Sequence, residues 1–173
     1  SPAADTCRVL WSPSEASRVA CVEDNALTLW DLQADLSAPT TLARCAAPDP
    51  TCSVGAAAWD CHFHHQLISA AGCTVWCWDT RSPSQPTTTI QDNAMLNVRD
   101  IDFNPNRPYV FVTGGDDARI RYWDARNSSK PVLEHPSMHA HWVCAVRYNP
   151  FYDQLLVTAG TDSQINLWSA GSV

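Results

Sequence analysis

Basic residues are scarce in this chain: 11 Lys+Arg stand against 18 Asp+Glu in 173 residues, a formal net charge of −7. Contacts from Lys and Arg to phosphate supply most of the affinity of nucleic-acid binders, so that class is excluded. Long apolar runs are missing too, and none approaches the roughly 20 residues that cross a bilayer as a helix. No basic segment followed by an apolar stretch opens the sequence given, so no secretory leader is read there. Helical periodicity is absent throughout. These absences point to a soluble, cytoplasmic, all-β protein.

The composition can build a core: 45% of the residues are hydrophobic and eight are Trp. Eight cysteines (7, 21, 45, 52, 61, 73, 77 and 144) could form a disulfide framework, but such scaffolds are short secreted chains in which cysteine replaces a core. Here they read as free thiols, several of them small hydrophobes on strands, as in Cys73-Thr-Val-Trp-Cys77.

Trp-Asp recurs at Trp30-Asp31, Trp78-Asp79 and Trp123-Asp124, and Trp168-Ser169 continues the series at spacings of 48, 45 and 45. A second landmark, an aromatic followed by a small polar residue and often proline, precedes each of these tryptophans by 19 or 20 residues: Trp11-Ser-Pro, Trp59-Asp-Cys, Phe103-Asn-Pro and Tyr148-Asn-Pro. A period near 45 that closes on Trp-Asp predicts the blade of a β-propeller. Within Asn97–Glu134, alternating runs at Val98–Phe103, Tyr109–Thr113 and Arg119–Trp123 are separated by turn clusters, with an outer strand near Lys130–Leu133. Blades are expected at about 7–44, 54–91, 97–134 and 142–168.

These repeats resemble WD40 repeats. The resemblance implies a tetrad in which indole, Ser/Thr hydroxyl, histidine and aspartate are linked in series, and the fourth repeat offers His141, Thr158, Asp162 and Trp168 for it. The third keeps Thr113, Asp117 and Trp123, with Leu96 in the histidine place. The first keeps Asp24 and Trp30 but has Ala4 and Ala20, and the second has Cys52 and Gly72 at the histidine and aspartate places. Blades without the full set are expected to lean on apolar packing.

Propellers close with about four to eight blades, and WD40 rings usually with about seven. The expectation is therefore a four-blade arc of a larger ring, with the missing blades of the same protein outside this stretch. Segments such as Val98-Arg-Asp-Ile-Asp-Phe-Asn-Pro-Asn106 and His141-Trp-Val-Cys-Ala-Val-Arg-Tyr-Asn149 resemble, more narrowly, the WD-repeat proteins that bind vesicle-tethering complexes. That likeness implies a non-enzymatic role in endosomal recycling and endosome-to-Golgi retrieval, with tethering-complex subunits as partners and a place at the trans-Golgi network and endosomes.

Sharper readings compete with plainer ones. His141, Asp162 and Thr158 or Ser163 could be drawn as a catalytic triad, but a hydroxyl held between imidazole and indole is not an exposed nucleophile, and no Gly-x-Ser-x-Gly turn is present. Cys61, His62, His64, His65, Cys73 and Cys77 lack the paired short spacing of a zinc site and read as a His-rich turn plus buried thiols. No metal or cofactor is expected. Trp78-Asp-Thr-Arg81 and Trp123-Asp-Ala-Arg126 resemble the box of substrate receptors of cullin-based ubiquitin ligases, which would make Arg81 and Arg126 adaptor contacts. Trp142, on the loop His139-Ala-His141-Trp142, is the candidate anchor for a protein partner, joined by Arg99, Asp100, Asp116 and Arg119.

Overall fold

The computed structural model describes residues 6–23, 26–33, 40–44, 54–127, 129–135 and 139–169. Among them are four antiparallel sheets and no helix. The first sheet holds β1 (Thr6–Trp11), β2 (Arg18–Glu23), β3 (Ala26–Asp31) and β4 (Thr40–Arg44). The second holds β5 (Val54–Trp59), β6 (Gln66–Ala71), β7 (Thr74–Asp79) and β8 (Thr88–Gln91). The third holds β9 (Val98–Phe103), β10 (Val110–Gly115), β11 (Ile120–Asp124) and β12 (Leu133–His135). The fourth holds β13 (Val143–Tyr148), β14 (Leu155–Gly160) and β15 (Ile165–Ser169). Every sheet is a meander in chain order, so each repeat folds on itself and no strand is traded between repeats. This is an arc of a β-propeller. One outer strand departs from expectation: β12 begins at Leu133 and not Lys130, because Pro131 has no N–H to give the ladder.

The landmarks seen in the sequence have a local cause. The small polar residue after each inner strand turns its oxygen onto the following amides: Asp60 Oδ1 accepts from His62 and Phe63, Asn104 Oδ1 from Asn106 and Arg107, and Asn149 Oδ1 from Phe151 and Tyr152, at 2.7 to 3.1 Å. Ser12 Oγ does the same for Glu15 at 3.2 Å. The aspartate of Trp-Asp caps the next turn: Asp31, Asp79 and Asp124 accept from the amides of Gln33, Arg81 and Arg126 at 2.9 to 3.0 Å. These side-chain turns end one strand and aim the next.

Packing runs from sheet to sheet. Ala20, Val22, Leu27, Leu67 and Trp78 form the joint between the first and second sheets. Ile68, Val75, Ile101, Phe103, Phe111 and Trp123 form the joint between the second and third. Val112, Ile120, Tyr122, Val143, Val146 and Tyr148 form the joint between the third and fourth. In the last joint Gly114 lets β13 come close: a Cβ there would stand 2.7 Å from Val143 Cγ1.

The third joint also carries charge. Asp100, expected as a partner contact, is instead fully buried. Its Oδ1 accepts from Arg8 Nη1 at 2.6 Å, reaching back to the first sheet. Its Oδ2 accepts from the Val146 amide at 2.9 Å and from Arg147 Nη1. Asp102 Oδ2 accepts from the Tyr148 amide at 2.8 Å. The two carboxylates thus satisfy amides on the free edge of β13, which would otherwise be left bare.

Asp100→Ala strips two guanidinium groups and a buried amide of their acceptor; a loss of about 3 kcal/mol is expected in the urea unfolding midpoint. Burial pushes the Asp102 carboxyl above its ordinary value, despite the opposing Tyr148 amide and Arg147 charge. A raised folded value means that stability from this group is full below about pH 4 and is lost as pH rises through the folded value. Asp102→Asn keeps an acceptor for Tyr148, so its urea midpoint is expected to gain on that of the native chain between about pH 4 and 7.

Candidate functional site

The inner strands β9 and β13 begin at one end of the arc, where the β10–β11 and β14–β15 hairpins also turn. Both hairpins are built alike, with Ala118 (φ 61°) and Ser163 (φ 63°) in the left-handed region beside Asp117 and Asp162. Each aspartate caps its own turn: Asp117 Oδ1 accepts from the Arg119 amide at 3.2 Å, and Asp162 Oδ1 from the Gln164 amide at 3.1 Å.

Beneath the second hairpin, Trp168 Nε1–H donates to Thr158 Oγ1 at 2.8 Å. The Thr158 hydroxyl donates to His139 Nε2 at 2.8 Å, and His139 Nδ1–H donates to Asp162 at 3.0 Å. The histidine of this series is therefore His139 and not His141. The loop from His139 to Trp142 needs two more residues than the offset assumed before β13 starts at Val143. The Ala140 amide anchors it by donating to Asp162 Oδ2 at 2.9 Å. Gly160 makes room for the ring, since a Cβ there would lie 2.6 Å from His139 Nδ1. Burial opposes ionisation of Asp162, but the Ala140 amide, His139 and the Gln164 amide outweigh it and hold the carboxyl below its ordinary value. Thr158 is fully buried with its hydroxyl engaged on both sides, so it is not placed as a nucleophile.

The same two-residue correction applies to the third sheet. Leu96 is exposed and takes no part; its place passes to Ala94, whose carbonyl accepts from Arg121 Nη2 at 3.3 Å. Arg121 is buried, donates through Nη1 to Asp117 at 2.5 Å and through Nε to Glu134 at 3.1 Å, and so replaces the imidazole with a guanidinium. This sheet has an ionic lock in addition to apolar packing. Trp123 Nε1–H still donates to Thr113 Oγ1 at 3.0 Å. In the second sheet Trp78 Nε1–H donates to Ser69 Oγ at 2.9 Å, and Gly72 (φ 56°) sits in the tight β6–β7 turn. In the first, Trp30 Nε1–H donates to Thr28 Oγ1 at 3.2 Å on its own strand, and Ala20 is buried. Ala4, Asp24 and Cys52 lie outside the described residues.

His141, released from the lock, stands exposed at the loop, its Nδ1 at 2.5 Å from Thr161 Oγ1. Its ring leans on Trp142 at 4.7 Å between centroids, and Arg99 lies on the Trp142 ring at 4.1 Å. Arg99 is held in turn by Asp116 through two hydrogen bonds. Arg99, Trp142, His141 and Asp116 thus form one stacked, solvent-facing group bridging the third and fourth sheets. Arg119 belongs to a separate pair with Glu134.

A model of the EIPR1 beta-propeller family matches residues 2–168, nearly the whole chain. The chain belongs to this family. Among its relatives, "EARP and GARP complex-interacting protein 1" of Rattus norvegicus is 37% identical over 118 residues, covering 66% of this chain and 30% of the rat protein. An "EARP-interacting protein homolog" of Danio rerio is 39% identical over 115 residues, 64% of this chain and 29% of that protein. A Dictyostelium discoideum protein of the same name is 30% identical over 109 residues, 62% of this chain and 26% of its own length. The matched stretch thus spans under a third of each of these relatives.

In this EIPR1-family chain the ligase reading of Arg81 and Arg126 finds no support. Each guanidinium forks onto the aspartate of its own Trp-Asp: Arg81 Nη2 lies 2.6 Å from Asp79 Oδ2, and Arg126 Nη2 lies 2.6 Å from Asp124 Oδ2. The Arg81 hydrogen bond holds the Asp79 carboxyl at about 2, and Arg126 lowers that of Asp124. Of the thiols expected to be buried beside the His-rich turn, Cys77 is buried, Cys73 is half-buried and Cys61 is exposed. Burial pushes the Cys77 thiol up to about 12, Cys61 Sγ lies 3.5 Å from the Asn104 carbonyl, and His62 Nε2 lies 2.9 Å from the same carbonyl. Cys21, Cys61, Cys73, Cys77 and Cys144 are free. No described helix is long and apolar enough to cross a membrane.

Removing the imaginary lock residue and the actual one separates the two histidines. His139→Ala leaves the buried Thr158 hydroxyl short of a partner and is expected to cost about 1–3 kcal/mol, seen as a lower thermal midpoint. His141→Ala is expected to cost no more than about 0.5 kcal/mol, as for an exposed side chain.

Proposed function

We propose that this chain is part of a non-catalytic, WD40-type scaffold that binds vesicle-tethering complexes of the EARP and GARP kind on the cytoplasmic side of endosomes and the trans-Golgi network. Family membership supports this reading, together with relatives whose names state such interactions. The observation that carries the choice of surface is the stack of Arg99, Trp142 and His141. A tryptophan held by contacts with a guanidinium and an imidazole, and still 39% exposed, has little rotamer freedom left to lose, which is what a binding anchor needs. The Asp116 pair holds Arg99 in place without covering Trp142. The hairpins that carry Asp116 and Thr161 rest on the locked interiors described above, so the surface is rigid before a partner arrives.

Affinity capture of tethering-complex subunits by the tagged chain tests this. Trp142→Ala is expected to reduce capture at least tenfold, about 1.4 kcal/mol or more. Because Trp142 is exposed, its thermal midpoint is expected to fall only slightly. Capture that stays undiminished in a folded Trp142→Ala chain overturns the assignment of the surface.

A further inference from the structure

The turns after the inner strands are closed by Ser12, Asp60, Asn104 and Asn149, and the neutral amides of Asn104 and Asn149 close theirs as well as the carboxylate does. Of the four, Asp60 alone brings a charge to the task, and it does so while only 1% exposed. The two amides it serves, those of His62 and Phe63, both come to Oδ1. No described residue donates to Oδ2. A buried oxygen of this kind costs free energy unless a donor reaches it. The next joint shows such a partner. There Asn104, whose oxygen takes its two amides, gives its other end to the Tyr148 hydroxyl of the fourth sheet. One period earlier the place of Tyr148 is held by Phe103, which has no hydroxyl.

A cavity of about 260 Å³ lies between the second and third sheets, with Asp60, Ile68, Thr87, Phe103 and Tyr109 in its lining. Ile68 and Phe103 belong to the buried core of this joint and give the cavity apolar walls. The Thr87 hydroxyl spends its proton on the Cys77 carbonyl at 3.1 Å, which leaves its oxygen as an acceptor. The Tyr109 ring already carries one cation, the Arg126 guanidinium at 5.0 Å, and that charge is balanced by Asp124. Asp60 Oδ2 and Thr87 Oγ1 thus await a donor beside apolar walls. We propose that this cavity is a subsite for a primary alkylammonium group, the side chain of a lysine on a bound protein segment, with its stem against Ile68 and Phe103 and its ammonium on Asp60. An arginine fits less well, because its fork calls for two carboxylate oxygens and Asp60 has one left. Burial pushes the Asp60 carboxyl above its ordinary value, against the pull of the two amides, His62 and His64, so a cation restores the charged form that burial penalises. The cavity sits where the inner strands end, at the opposite end of the arc from Trp142, so this inference is independent of the partner surface there.

Saturation-transfer difference NMR on the full-length protein tests it, with n-butylammonium chloride as the probe and n-butanol as its uncharged counterpart. A saturable signal is expected for n-butylammonium, with an affinity about tenfold above that of n-butanol. Asp60→Asn keeps an acceptor for the turn, as Asn104 and Asn149 do, and is expected to erase that preference. Phe103→Tyr supplies the hydroxyl that the next joint has, and is expected to weaken n-butylammonium binding about tenfold with the thermal midpoint undiminished. A capped glycine–lysine–glycine tripeptide is expected to displace n-butylammonium. Equal affinity for the two probes, or a preference that survives in Asp60→Asn, overturns the role of the carboxylate. No saturable signal for either probe is the mark of a cavity held by water and overturns the subsite. Binding of n-butylammonium that the tripeptide cannot displace is the mark of a free-amine site and overturns the assignment to lysine.

Discussion

The inner strand of each sheet presses a short row of apolar side chains onto the sheet before it, and the rest of the molecule depends on that contact. A lone four-stranded meander has two faces and no second layer to cover them. Here Ile101 and Phe103 cover the second sheet, and Val146 and Tyr148 cover the third, so that each repeat supplies the other half of its neighbour's core. The turns, the locks and the stack at Trp142 all take their positions from this stacking. Where it stops, at Trp11 and at Leu167, large apolar side chains face solvent.

Inside each sheet the indole, buried at Trp78 and Trp123 and half-buried at Trp30 and Trp168, poses one problem, an N–H that must find an acceptor, and the four repeats answer it with Thr28, Ser69, Thr113 and Thr158. What holds the hairpin above it differs. His139 does so in the fourth sheet with hydrogen bonds to Thr158 and Asp162, whereas Arg121 does so in the third with a charged fork between Asp117 and Glu134. The two solutions satisfy the aspartate at the same place in the hairpin, so the outline of the hairpin survives the change of chemistry.

Much of the fold was legible in the sequence because its signals are local. The aromatic–polar–proline landmark and the Trp-Asp pair each mark a turn closed by a side chain within three residues, and spacing along the chain reports such things faithfully. The lock histidine was not legible to the residue. His139 and His141 share parity and surroundings, and only the course of the loop, tied by the Ala140 amide to Asp162, decides between them. The role of Asp100 was hidden for a different reason: its partners lie 46, 47 and 92 residues away. The one hint was a pair of carboxylates alternating with apolar residues on a strand otherwise fit for a core. Arg121 left a similar hint, a charge between Ile120 and Tyr122 in a repeat with no histidine at the lock.

The clasp of Asp100 and Asp102 makes the third joint a different material from the other two. Cooling weakens the association of apolar surfaces, whereas a carboxylate held by amides and guanidinium groups does not depend on that driving force. Concentrated salt acts in the opposite sense, screening the half-exposed Arg147 while strengthening apolar association when the salt is a kosmotrope. The joint of the third and fourth sheets therefore holds a contribution that cold does not weaken, and through Arg8 the same buried carboxylate ties in the first sheet.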